Sequence, residues 1–353
     1  MTYSVPLLSE VRKGIGSNGF TAISTFSGCG GSCLGLEMSG YKILAASEFV
    51  EEARLTYNAN HLGVPVSPLD IRELRGQDLL KLANVTEIDL LEGSPPCASF
   101  SVAGKGERGW GNVSEYSDTS QRSDDLFFEF ARIIKDVQPK VFIAENVKGL
   151  VIGKAKGYFK EILRRLRSAG YEVEAKVLDA SYLGVPQARQ RVIFVGVRKD
   201  LGLPPVFPTP FSYRYSIREA IGDLLKADEG SLIDKETGEL ISFEKYKIGK
   251  EWLKTPMGGH SKYLNILIRP NLDAPCPTIT ATGGQIGAAS VTHPLLPRKF
   301  NLEELRRLCS FPDDFVLTGT YKQRYERLGR SVPPLMMKAV GDTVRDEILR
   351  KIK

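Results

Sequence analysis

Cys97 is the side chain of this sequence best placed for nucleophilic chemistry. It ends the run Glu87-Ile-Asp-Leu-Leu-Glu-Gly-Ser-Pro-Pro-Cys97. Ile88 to Leu91 reads as a strand, and Gly93, Pro95 and Pro96 stop it abruptly. Proline fixes φ and has no ladder donor, so a proline pair after a strand builds a rigid turn. Such a turn holds the thiol at a strand's C-terminal end, the edge where open α/β sheets gather ligands. As a thiolate, Cys97 could attack an electrophilic carbon. A buried structural cysteine is the competing reading, since unpaired cysteine is among the most buried residue types.

Val141-Phe-Ile-Ala144 reads as a buried strand, and Glu145-Asn-Val147 sits at its C-terminal edge. A cofactor entry lies upstream. The strand Thr21-Ala-Ile-Ser-Thr-Phe26 runs into Ser27-Gly-Cys-Gly-Gly31 and a helix start at Ser32. Glycines there let a ligand approach backbone N–H groups at a helix N-terminus. The next strand, Lys42-Ile-Leu-Ala-Ala-Ser47, ends in Glu48. That acid lies about 20 residues past the glycines, the spacing that suits a ribose diol. A solvated Glu48 opening a helix over 49–60 is the plainer alternative.

Alternating strands and helices must position these groups. The periodicity predicts a helix over 124–137, with Leu126, Phe127, Phe130, Ile133, Ile134 and Val137 on its core face. A second helix covers 158–169 and stops at Gly170. Tyr171 to Val177 alternates as a half-exposed strand, and Arg191 to Val197 closes the block. Residues 1–19 read as a polar leader. Residues 103–123 form a Gly- and Ser-rich loop long enough to be a lid. Between 199 and 276 the texture turns rich in Pro, Gly and polar residues, with a helical piece near 216–226, and reads as a smaller second domain. Helices return over 302–309, in a run ending at Arg330, and over 335–349.

Composition narrows the class. With 353 residues, 42% of them hydrophobic and 25% charged, the chain reads as an ordinary globular one. No apolar run reaches the roughly 18 residues of a membrane span, and no signal-peptide pattern opens the chain, so a cytoplasmic protein is expected. Five cysteines, an odd and irregular set, argue against a disulfide framework, and three scattered histidines against a metal site. A net charge of +6 permits a polyanionic partner without requiring one.

Taken in order, these motifs resemble those of the C5-cytosine methyltransferase family over nearly the whole chain. Phe26-Ser-Gly-Cys-Gly-Gly31 is similar to its S-adenosylmethionine loop, Glu48 to its ribose acid and Asp70-Ile71 to its adenine-side pair. Gly93-Ser-Pro-Pro-Cys97 is similar to its catalytic loop, and Glu145-Asn-Val147 and Gln187-Ala-Arg-Gln-Arg191 to the next two motifs. Pro277-Thr-Ile-Thr-Ala-Thr-Gly-Gly284 resembles the motif closing the target-recognition region. Gly329-Arg-Ser-Val-Pro333 resembles the last motif, which returns to the cofactor.

The resemblance implies a doubly wound α/β fold with a mostly parallel, seven-stranded sheet and an irregular target-recognition domain. The catalytic domain would comprise 1–198 plus 300–353, and the recognition domain 199–299. S-adenosylmethionine would be held by Phe26, Ser27, Gly28, Cys29, Gly30, Gly31, Glu48, Asp70, Ile71, Pro96, Arg330 and Ser331. Double-stranded DNA would be touched by Ser101, Lys105, Thr280, Gly283 and Gly284. A monomer is expected in a bacterial or phage-infected cell, with a cognate restriction endonuclease as an ally that need not touch it.

The implied chemistry is covalent. Cys97 adds to C6 of a flipped-out cytosine and Glu145 manages the N3 proton. Arg189 holds O2 of the base and Arg191 braces the site. Two positions leave the family pattern. Ala98 stands where Gln is common, and Arg330 stands where the last motif usually reads Gly-Asn-Ser. Arg330 could point away, grip the donor's methionine carboxylate, or accommodate a carboxylated donor such as carboxy-S-adenosylmethionine, giving 5-carboxymethylcytosine. A tRNA substrate is a rival, but the Cys-Phe-Thr signature of the tRNA-directed members is not found. A nicotinamide-dependent oxidoreductase would leave the Pro-Pro-Cys loop and Glu145-Asn146 unexplained. An inactive DNA-binding regulator would not need an intact Cys97, Glu145 and Arg189.

Overall fold

The computed structural model describes residues 2–96, 125–152, 155–227, 231–264 and 266–352, with the backbone of 114–116 and 119–121. Helix α1 (Leu8–Gly14) occupies the stretch read above as a leader. Leu8 and Val11 bury one face of it, a signal of two residues that is too short to register as a periodicity.

The chain divides into two compact units. One comprises Val11–Leu178, Gln190–Thr209 and Met337–Lys353; the other comprises Met1–Glu10, Asp179–Arg189 and Pro210–Met336. Residues 300–336, grouped with the catalytic domain in the sequence reading, therefore pack with the unit that holds most of the recognition region.

The first unit is built on the doubly wound sheet. Its strands are β1 (Thr21–Thr25), β2 (Lys42–Ser47), β3 (Val66–Ser67) and β4 (Leu90–Gly93). They are joined by β7 (Val141–Val147), β8 (Tyr171–Asp179) and β10 (Gln190–Arg198). A short hairpin, β5 (Ser114–Tyr116) with β6 (Thr119–Gln121), stands apart from the sheet, as does β9 (Gln187–Ala188). The seven strands lie in the order β3-β2-β1-β4-β7-β10-β8. Pairs from β3 through β7 are parallel, and β10 runs antiparallel to β7. The central strands are buried on both faces, which is why they read as apolar runs rather than alternating ones.

Helices α2 (Gly31–Met38), α3 (Glu51–Asn60), α4 (Gly76–Leu82), α5 (Leu126–Val137) and α6 (Lys156–Ser168) connect these strands. The face of α5 lies where the periodicity puts it, and its rings interlock with the sheet. Phe127 meets Phe194 at 5.1 Å, and Phe130 meets Phe142 edge-on. The chain end returns to this unit. Tyr41 donates to the Gly341 carbonyl at 3.1 Å and Ser39 to the Lys338 carbonyl at 3.1 Å. Strand order reverses between β1 and β4, so the crevice of this sheet opens beside the exits of those two strands.

The second unit holds α7 (Ile217–Ala227), α8 (Lys247–Lys254), α9 (Leu302–Leu308) and α10 (Tyr321–Arg330). Asn301 with Glu304 and Thr320 with Gln323 form capping boxes that start α9 and α10. A two-residue hairpin, β11 (Gly259–His260) with β12 (Ile268–Arg269), is fastened to α8 by the Arg269 guanidinium 3.9 Å over the Trp252 ring. Strand β13 (Cys276–Pro277) pairs with β9. Helix α11 (Pro334–Glu347) follows.

Gly93 ends β4 in space that no larger residue can share. A Cβ there would meet Phe130 at 2.4 Å and the Thr25 hydroxyl at 2.6 Å. We expect Gly93→Ala to cost about 1–3 kcal/mol of stability by overpacking, read as a lower denaturation midpoint.

Candidate active site

The exit of β1 is bent by backbone conformations that side chains rarely adopt. Phe26 has φ 54°, Gly28 φ 56° and Gly30 φ 92°. Phe26 walls a cleft despite its left-handed backbone, and Gly30 is required for a second reason. A Cβ on Gly30 would lie 2.1 Å from Nε2 of His61. His61, at the end of α3, stacks on Tyr57 at 4.4 Å and stands 3.0 Å from the Glu37 carboxylate.

Glu48 holds the loop from the other side. Its Oε2 accepts from Gly28 N–H at 2.7 Å and its Oε1 from Val50 N–H at 2.7 Å. The residue is buried, so the solvated alternative read from the sequence does not apply. Around it opens a cleft lined by Phe26, Glu48, Phe49, Leu69, Asp70, Ile71, Pro96 and neighbouring residues. Asp70 is pinned by Arg72, whose guanidinium reaches Asp70 at 2.9 Å and Asp125 at 2.7 Å. Thus Phe26, Glu48, Asp70, Ile71 and Pro96 share one cleft. Ser27, Gly28, Cys29, Gly30 and Gly31 form its glycine loop.

At the β4 exit, Asn146 Nδ2 donates to the Pro95 carbonyl at 3.0 Å, tying the proline turn to β7. Glu145, one residue earlier, forms a buried ion pair with Arg191 at 2.8 Å. Burial pulls the Arg191 guanidinium below its usual range, against the pull of Glu145. Cys97, Ser101 and Lys105 lie outside the described residues.

Arg189 belongs to the second unit. Its guanidinium donates to the carbonyls of Ile279 and Gly329 at 3.1 Å and of Arg330 at 3.4 Å. The sequence reading gives Arg189 the base and Arg191 a bracing part, whereas the geometry sets Arg191 beside Glu145 and has Arg189 gather main-chain carbonyls. Gln187 acts similarly, donating to the Leu308 carbonyl and accepting from Ile279 N–H. Thr280 opens the short turn Ala281–Gly284, and Gly283 and Gly284 press on Tyr325, where a Cβ would meet side-chain atoms at 2.4 and 2.8 Å. Arg330 donates to Glu326 at 2.7 Å, and Ser331 to the Leu328 carbonyl at 2.9 Å.

A family model for the C-5 cytosine-specific DNA methylase matches residues 20–346. The chain belongs to that family. The methylase is 35% identical over 339 residues to the Type II methyltransferase M1.HphI of Haemophilus parahaemolyticus, covering 92% of this chain and 86% of the relative. It is 31% identical to M.Eco47II of Escherichia coli, covering 94% of this chain and 80% of the relative. Among solved structures it resembles an Escherichia coli prophage DNA modification methyltransferase. That likeness has TM-score 0.73 at 22% identity, with 94% and 99% of the two chains covered. It also resembles the Spodoptera frugiperda DNMT2, with TM-score 0.65 at 19% identity and the same two coverages, 94% and 99%.

The methylase is a DNA cytosine-5 methyltransferase, and its family's methyl donor is S-adenosylmethionine. The cleft fits that donor: aromatic and apolar walls suit a purine, and two acids suit hydroxyl and amino groups. Sequence reasoning missed Phe49, Leu69 and Leu126 as walls, although the first two adjoin the acids it identified. It missed His61 entirely. No motif marks a histidine that matters by filling the space beside a glycine. Both oxygens of Glu48 accept backbone N–H groups, and an amide can satisfy only one of them. We expect Glu48→Gln to cost about 1–3 kcal/mol of thermal stability even without ligand, measured by differential scanning fluorimetry.

Proposed function

We propose that the enzyme methylates C5 of a flipped-out cytosine in one duplex DNA sequence through a covalent Cys97–C6 adduct. The observation that carries this reading is the convergence at one sheet edge of the cofactor cleft, the Asn146-anchored proline turn leading to Cys97, and the Glu145–Arg191 pair. S-adenosylmethionine would be held in the cleft by Phe26, Ile71 and Pro96 as apolar walls and by Glu48 and Asp70 as acceptors for its ribose and amino groups. Bound there, S-adenosylmethionine supplies an electrophilic methyl group.

The Cys97 thiolate attacks C6, and the C5–C6 electron pair is pushed through the ring toward N3. Glu145 supplies or shares the N3 proton, and Arg191 fixes the Glu145 carboxyl and lies beside the base O2. C5, now an enamine carbon, takes the methyl group. Loss of the C5 proton then expels Cys97 and restores the ring. Arg189 is assigned a positioning part, holding the turn around Ile279 and the end of α10. Ser101, Lys105 and Thr280 are candidate DNA contacts.

Target recognition is assigned to residues 199–299. Support comes from α8 and the β11–β12 hairpin, where Lys245, Lys247, Lys250, Lys254 and Lys262 are exposed beside Tyr263 and Ile266, which are 82% and 65% exposed. Exposed cations with large apolar tips suit a phosphate backbone and base edges. The relatives are named Type II methyltransferases, and this enzyme is read as working in the same setting, beside an endonuclease it need not touch.

A carboxylated donor is the second reading, motivated by Arg330. The guanidinium is engaged by Glu326, so such a donor would have to compete for it, which favours the ordinary one.

In DNA from cells expressing the enzyme, bisulfite sequencing should show a single modified sequence that disappears with Cys97→Ser. Nucleoside mass spectrometry should find 5-methylcytosine. Modification persisting in Cys97→Ser would overturn the covalent step, and 5-carboxymethylcytosine would establish the second reading. Reversing Lys247, Lys250 and Lys262 to Glu should weaken DNA binding alike for all sequences. It should also flatten the salt dependence by about 0.9 in log–log slope for each phosphate that is no longer neutralised.

A further inference from the structure

Glu92 is a buried carboxyl that the reaction above does not use. It lies on β4, 1% exposed and directly opposite Ser24 of β1. Its Oε2 accepts from the Ser24 hydroxyl at 2.6 Å and its Oε1 from the Ser94 hydroxyl at 3.1 Å. The Ser32 hydroxyl, in the first turn of α2, is a third partner. Ser27 extends the set, donating to Ser24 Oγ at 3.0 Å. One carboxyl therefore joins the strand entering the glycine loop, the helix leaving it, and the turn that leads to Cys97. Phe26 lies two residues past Ser24 and Pro96 two past Ser94, and both line the cofactor cleft.

Its partners are hydroxyls alone among the described residues, with no cation to offset the burial of charge. Neighbouring ionisable groups do not supply one. Glu145 of β7 is a like charge already paired with Arg191 of β10. On α2, Glu37 is paired with His61 and Cys33 is a buried thiol; from α3, the Tyr57 hydroxyl donates to Cys33. Burial pushes the Glu92 carboxyl up to about 7, above its usual range, and Glu145 adds to the rise while the serine hydroxyls oppose it.

We propose that Glu92 is a positioning residue whose carboxylate clamps the two sides of the cofactor cleft through Ser24, Ser32 and Ser94, and that cofactor binding is linked to its ionisation. An ionised carboxylate only accepts, so it can take all three hydroxyls. Once protonated, one oxygen becomes a donor and a much poorer acceptor, and the hold on the serines weakens. The donor would also bring a sulfonium, and a cation in the cleft favours the ionised form of a nearby carboxyl. Both effects have the same sign: the clamp closes, and the donor binds more tightly, as pH rises through neutrality, with a proton released on binding. The inference rests on the cleft being the donor site.

The test is calorimetric titration of the full-length enzyme with S-adenosylmethionine from pH 6 to 8.5, in buffers of differing ionisation heat. A one-unit fall in the Glu92 pKa on binding would tighten wild-type affinity up to about tenfold across that range. In Glu92→Gln, which mimics the protonated group, affinity should stay near the wild-type low-pH value and the Glu92 proton should vanish from the buffer-dependent heat. Subtracting the variant profile removes titration of the donor's own amino group. Identical profiles for wild type and variant would overturn the inference while leaving the site intact. No binding by the wild type at any pH would overturn the site reading itself. Ser94→Ala gives an independent check, because losing one hydroxyl should move the midpoint to higher pH; an unmoved midpoint counts against the clamp.

Discussion

The parallel pairing of β1 with β4 and of β4 with β7 is the constraint on which this site depends. Parallel strands all leave by the same edge, so three segments far apart in sequence deliver their exits side by side. The glycine loop, the proline turn and the Glu145–Asn146 pair arrive there although they lie far apart in sequence. The reversal of strand order between β1 and β4 then parts the connections to the two sides and leaves the crevice open. Asn146 makes the arrangement rigid by bonding the Pro95 carbonyl across two strands.

Placing ionisable groups at such an edge is unfavourable, because each charge removed from water costs several kcal/mol unless it is compensated. The four acids at this edge meet that cost differently. Glu48 takes two backbone N–H groups, Asp70 a partly exposed guanidinium, Glu145 a buried guanidinium, and Glu92 only hydroxyls. A backbone N–H cannot leave and a guanidinium stays charged, so Glu48 and Glu145 have fixed partners. Glu92 has neither, and burial pushes its carboxyl up to about 7.

Much of the fold was legible because its signals are local. Buried runs such as Val141 to Ala144, the stripe on α5, and Gly170 as a helix stop all act within a few residues. The glycine loop and the proline turn were equally plain, since each encodes a backbone conformation. Helix α1 was not, because only two of its side chains reach the core. The alternate residues of Gln187-Ala-Arg-Gln-Arg191 show a subtler limit. The motif was evident, but Arg189 and Arg191 fall in different compact units, so the part each plays depends on which unit takes its side chain.

By itself the sequence determined the main strands and helices of the sheet, their order, a glycine-rich loop at a strand exit and the nucleophile candidate, since these depend on residue type and short spacing. Only the tertiary structure decided what each charged group faces. Glu48 proved buried between two backbone amides, Gly30 proved to be a glycine because His61 fills the space beside it, and Arg330 proved to be held by Glu326. The physical reason is common to all three. Burial and pairing are set by neighbours from other parts of the chain, and no local pattern records which neighbours those will be.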